Sequence, residues 1–229
     1  MVVSQISTQN NQESIKILNS RKVSAFALEL VPRITRAQDM DILSSQANLA
    51  GYHAVIDAAQ EFNRVLPLFM TAAGKVTPAN VLVIGAGVAG LQAIATAKRL
   101  GAIVEASDPR QAAKEEVLSL GAKFIEVEGA VEDKSAGGYA IKQSKEFLSK
   151  QKEEVSKRLV QADVVITTAQ VFGSKSPVLI SKKIVEKMNS GSVIVDLASS
   201  TGGNCELTQD SKIIEHNGCL LYTSPSPRD

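Results

Sequence analysis

Residues 81–108 read VLVIGAGVAGLQAIATAKRLGAIVEASD, and the fold follows from this stretch. Four apolar residues, Val81 to Ile84, run into Gly85-x-Gly87-x-x-Gly90. A helix-like run follows and stops at Gly101. A second apolar run, Ile103 to Ala106, ends at Asp108. Each part has a physical reason. Gly85 permits a tight turn off a strand. Gly87 has no side chain, so a pyrophosphate can approach the backbone. Gly90 lets a helix pack close to the strand. The helix N-terminus then offers free N–H groups and a partial positive charge to phosphates. Asp108 lies 18 residues beyond Gly90, at the end of the next strand, where a carboxylate can accept both hydroxyls of a ribose. A glycine turn in an α/β domain without nucleotide is the bland alternative. The strand before, the helix after and the acid at this distance favour a dinucleotide site.

That site draws on Gly85, Ala86, Gly87, Val88, Gly90, Asp108, Pro109 and Arg110. A carboxylate at 108 bonds ribose hydroxyls and repels a 2′-phosphate, so NAD(H) is expected over NADP(H). Arg110 counts the other way, because a nearby arginine can serve a 2′-phosphate.

The bulk numbers narrow the class. The chain has 229 residues, 44% hydrophobic and 21% charged, with net charge +1, an ordinary globular composition. Near-neutral charge gives no reason to invoke nucleic acid, and 4% aromatic residues without Trp disfavour base-stacking surfaces. Two isolated His and no Cys cluster indicate no metal site. Cys205 and Cys219 point to a reduced compartment rather than a disulfide scaffold. Residues 76–97 carry no charge, but Pro78, Asn80 and three spaced glycines make them strand–turn–helix, not a membrane span. No secretory signal is visible at the start.

Along the chain, residues 4–20 are polar, and Val23 to Leu30 reads as the first buried strand. Residues 38–50 and 52–66 read as two helices divided at Gly51, and 71–80 as a loop. Strands and helices then alternate: strand 81–84, helix 88–100, strand 103–107, helix 111–120, strand 123–127. Next come a charged helix over 139–161, strand 163–168, a helix from near Pro177 to Met188, and strand 192–197. Ile213-Ile214 begin one more strand. Nearly all-apolar strands alternating with helices predict a doubly wound, mostly parallel sheet of Rossmann type, covered on both faces. Its crevice lies at the strands' carboxyl ends, gathering 85–90, 108–110, 168–173 and 198–204, with Ala169 and Gln170 among the candidate contacts. The loop Gly137-Gly138-Tyr139 is either a lid or a plain connection. The tail Cys219–Asp229 breaks every preceding pattern and resembles a translated transposase-type sequencing adapter. On that reading the authentic chain stops near Gly218 and 219–229 stand outside the fold.

Residues 31–52 read VPRITRAQDMDILSSQANLAGY. By chemistry alone Arg33, Gln38, Asp41 and Ser44 are donors and acceptors between a strand and a helix, and helix capping explains them at least as well as ligand binding. Taken with GAGVAGLQAIATAKRLGA, Gly137-Gly138-Tyr139-Ala140, Thr167-Thr168-Ala169, Gly191–Ala198 and Gly202-Gly203-Asn204-Cys205, the segment resembles the NAD(H)-binding component of proton-translocating nicotinamide nucleotide transhydrogenase. The resemblance covers roughly residues 20–218.

The resemblance implies a site and a reaction. The equivalents of Arg33 and Asp41 hold the nicotinamide carboxamide, with Ser44 assisting; Gln38 sits between two nicotinamide rings, and Ile34 and Thr35 belong to the same segment. Gly138 and Tyr139 fall in a loop that closes on nucleotide. Hydride passes directly between NAD(H) here and NADP(H) on a partner component, with Re/Si specificity, and a membrane component couples transfer to proton movement. Such a chain is a peripheral part, homodimeric as the family suggests, of a complex on the cytoplasmic face of a bacterial inner membrane. The resemblance also implies that residues 1–50 are the C-terminal remnant of a companion α/β domain with its connecting helix. Residues 51–78 are then the interdomain helix and linker, and 79–218 the NAD(H)-binding domain, a fragment not active alone. Direct hydride transfer needs positioning rather than a nucleophile, which suits a sequence without triad or metal cluster. Two stretches depart from the family pattern, AQVFGSKSP at 169–177 and ASST at 198–201, and both bear on the adenosine side. Alanine dehydrogenase, of the same architecture, and a non-catalytic NAD-binding module are the competing readings.

Overall fold

The structure is a computed structural model that describes residues 1–8, 11–32, 34–127, 129, 144–170 and 174–223. The chain divides into two compact units, residues 1–47 and 48–229. In the first unit, β1 (Val2–Ser4) pairs in parallel with β2 (Ala25–Ala27), and α1 (Gln12–Ser20) connects them. Two 3₁₀ turns follow, Leu28–Leu30 and Thr35–Met40. The buried strand expected over 23–30 is therefore corrected: only three residues are strand, and Phe26 is 58% exposed. Helix α1 lies in the polar stretch 4–20, for which the sequence predicts no element. It buries no residue, although Ile15, Ile17 and Leu18 are apolar, and the Asn11 side chain caps it at Ser14 N.

Helix α2 (Ile42–Glu61) runs straight through Gly51, the expected division between two helices. Gly51 is a contact residue, not a breaker. A Cβ there would lie 2.1 Å from the Ala89 carbonyl oxygen, so glycine is what lets α2 approach that backbone. The stretch 71–80, expected as loop, contains half of a small antiparallel hairpin, β3 (Phe69–Thr71) with β4 (Gly74–Val76).

The second unit is built on a seven-stranded sheet. Its strands are β5 (Asn80–Ile84), β6 (Ile103–Ser107), β7 (Lys123–Phe124), β8 (Val164–Thr167), β9 (Val193–Asp196), β10 (Ile213–His216) and β11 (Cys219–Tyr222). The order is β10-β11-β9-β8-β5-β6-β7, all parallel except β10 against β11. The connections carry α3 (Val88–Arg99), α4 (Ala113–Ser119), α5 (Lys145–Leu159) and α6 (Lys182–Val185). The near-continuous apolar strands have their reason in two cores. Val81 and Val83 of β5, Val164 and Ile166 of β8, and Val193 and Val195 of β9 pack with α2, α3 and α4. Leu82, Ile84, Val165 and Ile194 pack on the opposite face with α5 and α6. β5, β8 and β9 are thus apolar at both parities, as strands buried on both faces require. Full burial of side chains such as Leu82, Ile166 and Ile194 stabilises by about 2 kcal/mol each.

Two sequence expectations change at the C-terminal edge. Asn217 and Gly218 both have positive φ, 56° and 76°, and form the turn that sends the chain back antiparallel. The return strand is Cys219–Tyr222, which pairs in parallel with β9, and Cys219 and Leu221 are each 1% exposed. The sequence reading sets Cys219 onward outside the fold, whereas the structure lays the alternating side chains of these four residues along a core face. The helix expected from Pro177 is confined to Lys182–Val185.

Candidate functional site

From β5 the chain moves to β6 on one side, and β8 lies on the other, so the β5–β8 boundary is a topological switch point. Ligands of such sheets bind outside the carboxyl ends of the strands at that point. The glycine loop emerges there. Gly85 has φ +101°, and a Cβ on it would sit 2.6 Å from Thr168 Oγ1. A Cβ on Gly90 would lie 1.8 Å from the Gly85 carbonyl oxygen, so the helix start presses against the loop itself. Gly87 differs from both: its φ is ordinary and a Cβ would meet nothing within 4 Å. The fold does not need glycine at 87, and the space beside it is open. Gly87 is the N-cap of α3 with no side-chain cap bond, so the helix's first N–H groups are not claimed by a side chain there. The residues present thus fit a pyrophosphate.

Asp108 directly follows β6 and is only 8% exposed. Its Oδ2 accepts from Ala86 N at 2.8 Å, which ties the acid to the glycine loop. Its Oδ1 accepts from Arg110 N at 2.8 Å and Arg110 Nε at 2.9 Å, and Oδ2 also accepts from Arg110 Nη2 at 3.0 Å. Arg110 Nη2 donates as well to the Ala86 carbonyl at 3.1 Å. Hydrogen bonding to Asp108 holds the Arg110 guanidinium above its ordinary value, against the opposing effect of burial. Pro109, Gln111, Phe124 and Phe147 line a small recess beside Asp108.

The third wall carries Thr168 and Asn204, which lie in segments the sequence places at the crevice without a role, and Asp196, which it leaves out. Thr168 Oγ1 donates to the Gly85 carbonyl at 2.9 Å and so fixes the turn. Asn204, fully buried, accepts from Ala169 N at 3.0 Å and donates to the Ala169 and Pro177 carbonyls at 2.9 Å each. Asp196 is also fully buried and collects five donors. Thr167 Oγ1 and Ala198 N reach Oδ1, while Asn204 N, Cys205 N and Thr208 Oγ1 reach Oδ2, at 2.5–3.2 Å. No cation stands among these donors; neutral groups satisfy the charge. Gln170 Nε2 donates to the Leu197 carbonyl at 3.0 Å from an exposed position. The signals for these residues are Asp196-Leu-Ala and Gly-Gly-Asn204-Cys, visible in the sequence only as motifs. Burial pushes the Cys205 thiol up to about 12, with Asp196 adding to the effect, so it is no nucleophile.

In the first unit, Asp41 and Ser44 are brought together. Ser44 N donates to Asp41 Oδ1 at 2.9 Å and Ser44 Oγ to Asp41 Oδ2 at 2.7 Å. Asp41 thereby caps α2, as the capping reading of this segment expects. Gln38, Ile34 and Thr35 are exposed on or beside the 3₁₀ turn. Arg33, Gly138, Tyr139 and residues 171–173 lie outside the described residues. Among the described residues no group of three His, Cys, Asp or Glu could hold a metal, and no helix is long and apolar enough to cross a membrane.

A glycine loop on a helix N-terminus at a sheet switch point, with an acid closing the next strand, defines a dinucleotide-binding α/β protein. Family comparison narrows the class. The model "Alanine dehydrogenase/PNT, C-terminal domain" matches residues 54–226 and "Alanine dehydrogenase/PNT, N-terminal domain" matches residues 1–50. The chain belongs to the alanine dehydrogenase/PNT family. It is 57% identical over 213 residues to an NAD(P) transhydrogenase subunit alpha chain of Rhodospirillum rubrum, covering 92% of this chain and 56% of that protein. It is 25% identical over 215 residues to alanine dehydrogenase of Methanococcus maripaludis, covering 90% and 52%. The crystal structure of transhydrogenase from Sinorhizobium meliloti superposes with TM-score 0.87 at 49% identity, over 97% of this chain and 60% of that one. The chain spans little more than half the length of these relatives.

Proposed function

We propose that this chain is the NAD(H)-binding component of a proton-translocating nicotinamide nucleotide transhydrogenase. The observation that carries the proposal is the union of glycine loop and acid: Asp108 Oδ2 bonded to Ala86 N at 2.8 Å beside open space at Gly87. Greater identity to the transhydrogenase subunit than to alanine dehydrogenase supports this branch of the family. In this reading the α3 N-terminus and the Gly85–Gly90 backbone bind the pyrophosphate, and Asp108 receives the adenosine ribose. Pro109 and Arg110 flank that ribose, and Ala169 and Gln170 border the cleft at the end of β8. Arg33 and Asp41 grip the carboxamide, with Ser44 holding the Asp41 carboxylate through the 2.7 Å bond. Ile34 and Thr35 support that grip, and Gln38 is placed between nicotinamides. Gly138 and Tyr139 are assigned to a closing loop. NAD(H) supplies hydride at its nicotinamide ring, and the residues named here bind and orient it. No proton donor is required of them.

The acceptor is NADP(H) on a partner component, and a membrane component couples transfer to proton movement. The chain then works as one half of a homodimer, peripheral to the cytoplasmic face of a bacterial inner membrane. NADH and NADPH titrations test the site. NADH binds more tightly in this reading, and Gly87→Ala weakens it about tenfold or more while leaving stability within about 0.5 kcal/mol. With NADP(H)-loaded partner added, Gln38→Asn slows hydride transfer and leaves NADH affinity nearly intact. Equal affinity for the two nucleotides, or oxidation of alanine with NAD, would overturn the proposal.

A further inference from the structure

The Asp108 carboxylate has about four lone-pair positions. All four are filled. Two are held by backbone N–H groups, Ala86 N on Oδ2 and Arg110 N on Oδ1, at 2.8 Å each. These bonds set the shape of the glycine loop and the β6 turn. The other two belong to the Arg110 fork, Nε on Oδ1 at 2.9 Å and Nη2 on Oδ2 at 3.0 Å. A ribose diol presents two hydroxyl donors, and the two fork positions are the only ones it can take without breaking the loop.

We infer that Arg110 is a specificity-determining residue that competes with the ribose of NAD(H) for Asp108 and, once displaced, offers its guanidinium to a 2′-phosphate. The inference rests on the dinucleotide site proposed above and adds a direction to it. A residue simply lending affinity to nucleotide helps both cofactors. Arg110 opposes one and helps the other. The Arg110 side chain is 25% exposed against 5% for Asp108, so the guanidinium has a solvent-facing route off the carboxylate while the carboxylate stays fixed. Once off, it stands within two residues of the acid that a 2′-phosphate must pass, and its planar fork suits a phosphate. On this account discrimination against NADPH is partial, because the residue that neutralises Asp108 is also the cation that would receive the extra charge.

The test is equilibrium titration of NADH and of NADPH against the whole chain and its Arg110→Met and Arg110→Lys variants, with thermal unfolding recorded for each. Arg110→Met keeps the stem and removes the fork. It is expected to tighten NADH about threefold, the scale of a partly exposed ion pair, and to weaken NADPH about tenfold. Arg110→Lys keeps the charge but cannot span both oxygens. It is expected to tighten NADH as well and to hold NADPH within about threefold of its original affinity. Weakening of both nucleotides together by Arg110→Met would overturn the inference and make Arg110 a support of the glycine loop. So would unchanged affinity for both. If Arg110→Met unfolds, the NADH result for Arg110→Lys decides alone. Absence of NADH binding by the unsubstituted chain would remove the underlying site as well, which separates that failure from failure of the Arg110 assignment.

Discussion

Replacing Asp196 by Asn removes one charge and one acceptor while keeping the volume. The outcome can be worked from the five donors. Thr167 and Thr208 meet the carboxylate through hydroxyls, which can rotate and accept from an amide N–H. The other three are backbone N–H groups, which cannot reverse: Ala198 N on Oδ1, and Asn204 N and Cys205 N on Oδ2. The less damaging orientation puts the new NH₂ at the Oδ1 position. It then faces Ala198 N, leaves that donor unpaired, and keeps Oδ2 for Asn204 and Cys205. One buried N–H loses its partner, and two more exchange a charged acceptor for a neutral one. With about 1–3 kcal/mol for the first and roughly 0.5–1 kcal/mol for each of the others, the expected loss is about 2–5 kcal/mol. Asp196→Ala strands all three N–H groups and is expected to fall at or beyond the upper end. The assay is urea unfolding followed by far-UV circular dichroism, since the chain has no Trp. An Asp196→Asn chain within about 0.5 kcal/mol of the original would refute the reasoning, because it would mean that water or backbone movement satisfies these groups at no net loss. NADH affinity should fall too, since Asp196 holds Asn204 and Asn204 holds Ala169 beside the cleft.

Two further outcomes are expected. Gly51→Ala should lower the unfolding temperature despite the helix-propensity gain of about 1 kcal/mol, because its Cβ would lie 2.1 Å from a backbone oxygen; a raised temperature would show that α2 and α3 separate easily. Cys205, its thiol pushed up to about 12, should react with iodoacetamide at pH 8 on the order of a thousandfold more slowly than a free thiol, and quickly after unfolding; the pH sign is fixed, with the thiol's contribution to stability complete below its ordinary 9.0 and lost as pH climbs towards about 12, so equal labelling of folded and unfolded chain would sink the placement.

The legible portion of the site is the portion carried by local rules. Gly85, Gly87, Gly90 and Asp108 work within one βαβ unit, where spacing along the chain nearly fixes spacing in space. Strand parity tells the same story, since strands buried on both faces must be apolar throughout. Thr168, Asp196 and Asn204 stand in visible motifs, yet their roles cannot be read there, because all their partners but Ala198 lie 8 to 83 residues away along the chain. The hairpin at Asn217-Gly218 does have a local signature, but the tail beyond it breaks the preceding pattern and hides the return strand.

The sequence by itself determined the alternation of strands and helices from Val81 to Leu197, the doubly wound class, the position of the glycine loop and the acid that answers it. Tertiary structure decided the rest. It made Gly51 a packing contact rather than a helix end and took Cys219–Tyr222 into the sheet. It filled every acceptor position of Asp108 and buried Asp196 among five neutral donors. The division has one physical cause. Propensity, periodicity and turn chemistry act over a few neighbouring residues and can be read from them, whereas close approach and hydrogen-bond satisfaction depend on which distant backbone the fold delivers to the same place.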